Sequence, residues 1–137
     1  MKLFFDASSF VKRYVAEPGS EAVESLCGAA DEIALSILCP AEILSAVLRL
    51  QREARIHARQ YAAIKSAMLA DIRDVALIQI DSAVVKISIN AIETSPLKAL
   101  DSFHIACAMQ WGPDFFVSSD IQQITAAKKM GLKVRHV

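Results

Sequence analysis

The sequence carries no excess charge of either sign. Fifteen Lys and Arg balance fifteen Asp and Glu over 137 residues, so the field of the whole molecule gives no argument for nucleic acid. Such a partner would need a local basic patch. Cysteine is sparse: Cys27, Cys39 and Cys107 are odd in number and share no C-x-x-C spacing, which fits buried thiols in a reducing cytoplasm rather than a disulfide framework. Aromatic residues make up 7%, too few to assign base stacking to any of them. No apolar run reaches the length of a membrane span, because Asp, Glu, Lys or Arg interrupts each one. Asp6 falls where the apolar core of a signal peptide would continue. The expectation is a cytoplasmic protein with no membrane partner.

What the chain does hold is a core. It is 54% hydrophobic and 22% charged, which excludes disorder and suits one domain spanning residues 1–137, without repeat or linker. Leu3-Phe4-Phe5 is short and wholly apolar, as in a strand buried on both faces of a parallel sheet. The spacing predicts further strands at residues 32–36, 75–80, 115–117 and 132–137. Helices are predicted between them: a short one over 7–15, then 20–27 capped by Ser20 and closed by Gly28, 40–55, 57–73, 82–93, 97–111 and 120–130. Strands alternating with helices argue for a parallel α/β sheet covered on both faces.

Four acids stand where such a sheet collects ligands, at the carboxyl ends of its strands. Asp6 and Asp120 follow the first and fourth strands, and each could simply cap a helix. Glu42 is the one charge between Ala34 and Leu48, and Asp101 lies in the apolar run 97–108. A carboxylate on a largely buried helix needs a partner. Four of them converging would repel strongly, and a divalent cation removes the problem. Oxygen-only ligands point to Mg²⁺ or Mn²⁺, whereas His57, His104 and His136 lack zinc-ligand spacing. Such a site suits phosphodiester hydrolysis, in which the metal activates water and stabilises charge on the attacked and leaving oxygens.

Leu3-Phe4-Phe5-Asp6-Ala7-Ser8, Pro40-Ala41-Glu42-Ile43, Ala99-Leu100-Asp101-Ser102-Phe103-His104-Ile105-Ala106 and Val117-Ser118-Ser119-Asp120 closely resemble the four signature segments of PIN domains. Their order, together with the closing run from Ala126 to Val134, is similar to the VapC-type toxins of toxin–antitoxin pairs. The resemblance covers nearly the whole chain. It implies a PIN-like three-layer α/β/α fold with a five-stranded parallel sheet in the order 3-2-1-4-5. It also implies a metal-dependent endoribonuclease, a homodimer inhibited by a small antitoxin. Asp6, Glu42, Asp101 and Asp120 would then be the catalytic and metal-binding quartet, with Asp6 and Asp101 as direct ligands. Ser8 would orient a ligand, and Ser118 stands where the family often has Thr.

Three other classes compete. A non-catalytic PIN-fold module binding RNA or protein is opposed by the intact quartet. A receiver-like signalling domain needs adjacent acids after the first strand, and this chain has only Asp6 there. A dehalogenase-like phosphatase would place its second acid at Ser8. For RNA, the densest basic stretch offers Arg49, Arg52, Arg55 and Arg59, paired at helical spacing. It is either a solvated face or a phosphate-tracking edge. Lys12-Arg13-Tyr14 and Lys128-Lys129 are smaller basic candidates. Ile64, Met68, Leu69 and Ile72 form an apolar stripe that is core, a dimer face or an antitoxin surface.

Overall fold

The computed structural model describes all residues, 1–137. The chain opens with β1 (Lys2–Phe5), the short helix α1 (Ala7–Phe10), a 3₁₀ turn (Val11–Arg13) and α2 (Ser20–Ala29). β2 (Glu32–Ser36) leads to the pair α3 (Cys39–Arg52) and α4 (Ala58–Asp71), and β3 (Ala76–Ile78) to α5 (Ser82–Thr94) and α6 (Ala99–Trp111). β4 (Phe115–Ser118), α7 (Ile121–Lys129) and β5 (Val134–His136) complete it. All five strands are parallel, in the order β3-β2-β1-β4-β5. The expected fold and strand order therefore hold.

The central position of β1 explains its composition. Successive strand residues face opposite sides of a sheet. Phe4, Ala34 and Phe116 pack with α5, α6 and α7 on one side. Leu3, Phe5, Leu35 and Val117 pack with helices α1 to α4 on the other. Leu3, Phe4 and Phe5 have no exposed surface at all, as a strand covered on both faces must. The register sets Phe5 beside Val117 and Ser118 beside His136. Three strands thus end level, and the residues that follow them crowd one edge.

Several boundaries differ from expectation. α2 is capped not by Ser20 but by Gly19, at φ 97°. A Cβ there would come within 2.8 Å of Lys12 Nζ and 2.9 Å of the Val137 backbone, so only glycine fits. The Ser20 hydroxyl instead ties the preceding turn, donating to the Val15 carbonyl and accepting from Glu17 N. Gly28 lies inside the helix, which runs on to Ala29. α3 stops at Arg52, and Ala54 turns the chain with φ 57°. Arg55 consequently lies between helices while Arg59 sits on α4, and the expected helical pairing of those two does not form. The α4 stripe is mostly core: Met68 is buried, Ile64 and Ile72 pack against the interior, and only Leu69 is exposed. The continuous apolar surface is on α5, where Val85, Ile89 and Ile92 are 40%, 51% and 42% exposed. No helix is long and apolar enough to cross a membrane.

Candidate active site

All four acids lie at helix starts on the carboxyl edge of the sheet. Asp6 is the N-cap of α1 and Asp120 the N-cap of α7, while Glu42 and Asp101 occupy the first turns of α3 and α6. Helix N-termini favour negative charge, which accounts for the positions one by one. Both capping bonds expected of Asp6 and Asp120 form: Asp6 accepts from Ser9 N at 3.0 Å, and Asp120 from Gln122 N at 2.8 Å.

Asp6 is only 3% exposed, and hydroxyls hold it. Its Oδ1 accepts from Ser8 Oγ at 2.8 Å and lies 2.9 Å from Ser9 Oγ. Its Oδ2 accepts from Ser118 Oγ at 2.6 Å. Ser118 Oγ in turn accepts from Asp120 N at 3.0 Å, and Ser8 Oγ from Ser119 N at 3.1 Å. The two serines bridge the ends of β1 and β4 and fix Asp6 against the turn that carries Asp120.

The other acids join through two residues not singled out from the sequence. Gln123, buried one turn into α7, donates from Nε2 to the Asp101 carbonyl at 3.0 Å. His104, 1% exposed on α6, donates from Nε2 to Glu42 Oε2 at 2.8 Å. A hydrogen-bonded path therefore runs from Asp6 through Ser118 to Asp120 and Gln123, then along α6 from Asp101 to His104 and Glu42. A buried polar residue in an apolar helix was the available signal for His104, whereas Gln123 in the more polar α7 gave none. Ser9, which also reaches the Val117 carbonyl at 2.8 Å, gave no such signal.

The electrostatics agree with convergence. Burial, and then the charges of Asp120, Glu42 and Asp6, lift the Asp101 carboxyl above the usual carboxylate range, with His104 opposing. Burial disfavours the His104 cation, but its bond to Glu42 and the charges of Glu42, Asp6 and Asp101 outweigh that, so its pKa is raised. The buried Cys39 thiol beneath is pushed well up by desolvation, then by Asp6 and Glu42. No Lys or Arg forms an ion pair with any of the four acids.

The donor set suits a hard cation, being carboxylate and hydroxyl oxygen. Four of the five buried side-chain polar atoms without a partner lie here: Glu42 Oε1, His104 Nδ1, Ser119 Oγ and Gln123 Oε1. Buried polar atoms are nearly always satisfied, so such a concentration marks a place for water, an ion or a substrate group. As the side chains stand, no three His, Cys, Asp or Glu residues are disposed to share one ion. Asp6 and Asp120 are instead turned to their own helix N–H groups. The chemistry of the residues fits Mg²⁺ or Mn²⁺.

The arginines lie apart. Arg49 and Arg52 end α3, about 10 and 15 Å along its axis from Glu42 at 1.5 Å per residue. Arg55 lies 3.7 Å from Glu53. Lys12 and Arg13 are committed elsewhere, Lys12 to the Val137 carbonyl and Arg13 to Asp71 and Glu24.

The sequence model of the PIN domain matches residues 3–129. No curated protein matches. Among solved structures, FitAcB from Neisseria gonorrhoeae superposes with a TM-score of 0.72 at 16% identity, covering 96% of this chain and 95% of that one. VapC20 of Mycobacterium tuberculosis, described as a toxin that cleaves the sarcin-ricin loop, gives 0.70 at 14%, with 95% of each chain covered. VapBC2 from Rickettsia felis, bound to a DNA fragment from its promoter, gives 0.71 at 13%, covering 100% and 99%.

Proposed function

This chain belongs to the PIN domain family, and on that premise we propose that it is a Mg²⁺- or Mn²⁺-dependent endoribonuclease and the toxin of a toxin–antitoxin pair. The observation that carries the reading is the set of hydrogen bonds that gathers Asp6, Glu42, Asp101 and Asp120 at one sheet edge with no Lys or Arg against them. Carboxylates kept together and uncompensated are a cation site in waiting. Asp6 and Asp101 would be direct ligands, with Glu42 and Asp120 completing the acidic set. With the ion bound, the chemistry supplied there is activation of a water and neutralisation of charge on the scissile phosphate. The chain's own part is positional. Ser8 and Ser118 fix the direction of the Asp6 carboxylate, His104 holds Glu42, and Gln123 locks α7 against α6.

Two surfaces support the partners. The α5 stripe of Val85, Ile89 and Ile92 is an apolar face suited to a second copy. A groove of about 310 Å³ lined by Tyr14, Val15, Leu50, Ile56 and Ile64, with Arg55 at its rim, would take an amphipathic antitoxin segment. The deciding experiment is RNA cleavage by antitoxin-free protein with Mg²⁺, Mn²⁺ or EDTA, beside Asp101→Asn. Cleavage that requires the metal and Asp101 is expected. Ion binding without cleavage of any RNA would turn the reading to a non-catalytic PIN-fold module, and absence of ion binding would overturn the site.

A further inference from the structure

The one partnerless buried side-chain atom outside the acid cluster is Ser95 Oγ, on a residue 6% exposed. Ser95 lines a groove of about 180 Å³ with Pro96, Ile121, Gln122, Thr125 and Lys129. One wall is the connection between α5 and α6. The other is a face of α7, running about 12 Å from Ile121 to Lys129 at 1.5 Å per residue. The two walls lead straight to the acids, since Ile121 follows Asp120 and Pro96 precedes the first turn of α6, which carries Asp101. The groove therefore begins one residue along α7 from Asp120, beside the candidate active site.

Its chemistry is specific. Pro96 and the 62%-exposed Ile121 offer apolar surface beside the exposed Gln122 amide and the Thr125 hydroxyl, with the unpartnered Ser95 hydroxyl buried in the wall behind them. Of these, Thr125 Oγ1 is already used, donating to the Ile121 carbonyl. Lys129, at the far end, takes part in none of the chain's ion pairs. A flat heterocycle with hydrogen-bonding edges, followed by an anion, matches that sequence of groups. The volume is below that of an ordinary small-molecule pocket and suits one base rather than a helix of a partner protein. We propose that this groove is the subsite for the nucleotide beside the scissile phosphate, holding its base between Pro96 and Ile121, reading its edge with Gln122 and with the Ser95 hydroxyl turned out from the wall, and meeting the next phosphate with Lys129. The inference rests on the ribonuclease reading and adds to it a determinant of base preference.

The test uses fluorescein-labelled single-stranded RNA decamers, one for each base, with affinities measured by anisotropy in Ca²⁺ for wild type, Thr125→Phe and Lys129→Glu. Both substitutions lie at exposed positions, and Thr125→Phe fills the groove. Melting curves and Mn²⁺ titrations should stay at wild-type values. Thr125→Phe should weaken binding about tenfold and compress the differences among the four bases, the loss expected for one displaced base. Lys129→Glu should weaken all four alike and flatten the slope of log K against log salt by about 0.7, for one lost phosphate contact. Wild-type affinities in both variants would overturn the inference and leave the nuclease standing. A change of oligomeric state in Thr125→Phe with RNA affinity unaltered would assign the groove to a second copy, and also overturn it. If the wild type neither binds nor cuts RNA, the inference and the nuclease reading fall together. Should Thr125→Phe melt several degrees low, Lys129→Glu alone decides.

Discussion

Removing the hydroxyl of Ser118 should damage both fold and site, to different extents. In Ser118→Ala, Asp6 Oδ2 loses its 2.6 Å donor and Asp120 N loses its acceptor. Asp6 is 3% exposed, so water cannot replace the donor without rearrangement. A hydrogen bond to a charged group contributes about 1.5–3 kcal/mol, and leaving a buried partner unsatisfied puts the cost at the upper part of that range. With an unfolding entropy of about 2.1 cal/mol/K per residue, a loss of 2–3 kcal/mol lowers the melting temperature of this 137-residue chain by about 7–10 °C. The assay is thermal denaturation by circular dichroism of metal-free protein, with Mn²⁺ titration alongside. Ser118→Thr keeps the hydroxyl and should restore most of the Mn²⁺ affinity. The cycle with Asp6→Asn isolates the pair: an amide offers a donor in place of an acceptor, so Ser118→Ala should cost less in that background. A melting temperature within 2 °C of wild type, or equal costs in both backgrounds, would refute the claim that this bond holds Asp6.

Asp101→Asn should raise the melting temperature of metal-free protein at pH 7. A carboxyl whose folded-state pKa is raised costs stability once pH exceeds its unfolded value, and the amide removes that cost; a lower melting temperature would count against repulsion among the acids. Asp71 behaves oppositely. Burial raises its pKa, but the bonds from Arg13 and Tyr14 and the Arg13 charge win, so it is lowered. Its contribution is present above pH 3.8 and lost as pH falls below, so acid unfolding should be shallower in Asp71→Asn; identical acid limbs would exclude it. Ile89→Glu on α5 should convert dimer to monomer in sedimentation velocity while Mn²⁺ binding persists, and an unchanged sedimentation coefficient would move the interface elsewhere. Arg52→Ala with Arg55→Ala should weaken RNA binding and flatten its salt slope by about 1.4, for two phosphate contacts on a single strand; an unmoved slope would make that edge a solvated face.

The sheet and the positions of the acids were legible because each rests on local pattern. Leu3-Phe4-Phe5 breaking into Asp6 marks a buried strand and its ligand edge together. Glu42 and Asp101 stand out as lone charges in apolar helices. Ser8 and Ser118 were legible as supporting residues, but which acids Ser118 and His104 reach was not, because those bonds span 112 and 62 positions. Hydrophobic periodicity shows which residues align on a helix but not which side another element covers. It therefore pointed to α4, whose Met68 is buried, and passed over Val85, Ile89 and Ile92. The Arg55–Arg59 pairing failed at Ala54, an ordinary residue in the left-handed conformation. Gly19 and Ser20 were exchanged as cap because only the packing against Lys12 and Val137 requires the glycine.

The manner in which the carboxylates are held bears on what they are for. Asp71 is paired with Arg13, and Asp6 and Asp120 cap helices, but no Lys or Arg answers the four acids. Here the neighbours are serine hydroxyls, backbone N–H groups and one histidine. Hydroxyls and amides fix a carboxylate's direction without cancelling its charge, and helix N-termini offset only part of the repulsion. The parallel order of the sheet makes this arrangement available, because it brings the starts of α1, α3, α6 and α7 to one edge. Burial first, and then the neighbouring charges of Asp120, Glu42 and Asp6, raise the pKa of the Asp101 carboxyl. The serines hold Asp6 against the turn that carries Asp120 without neutralising either acid.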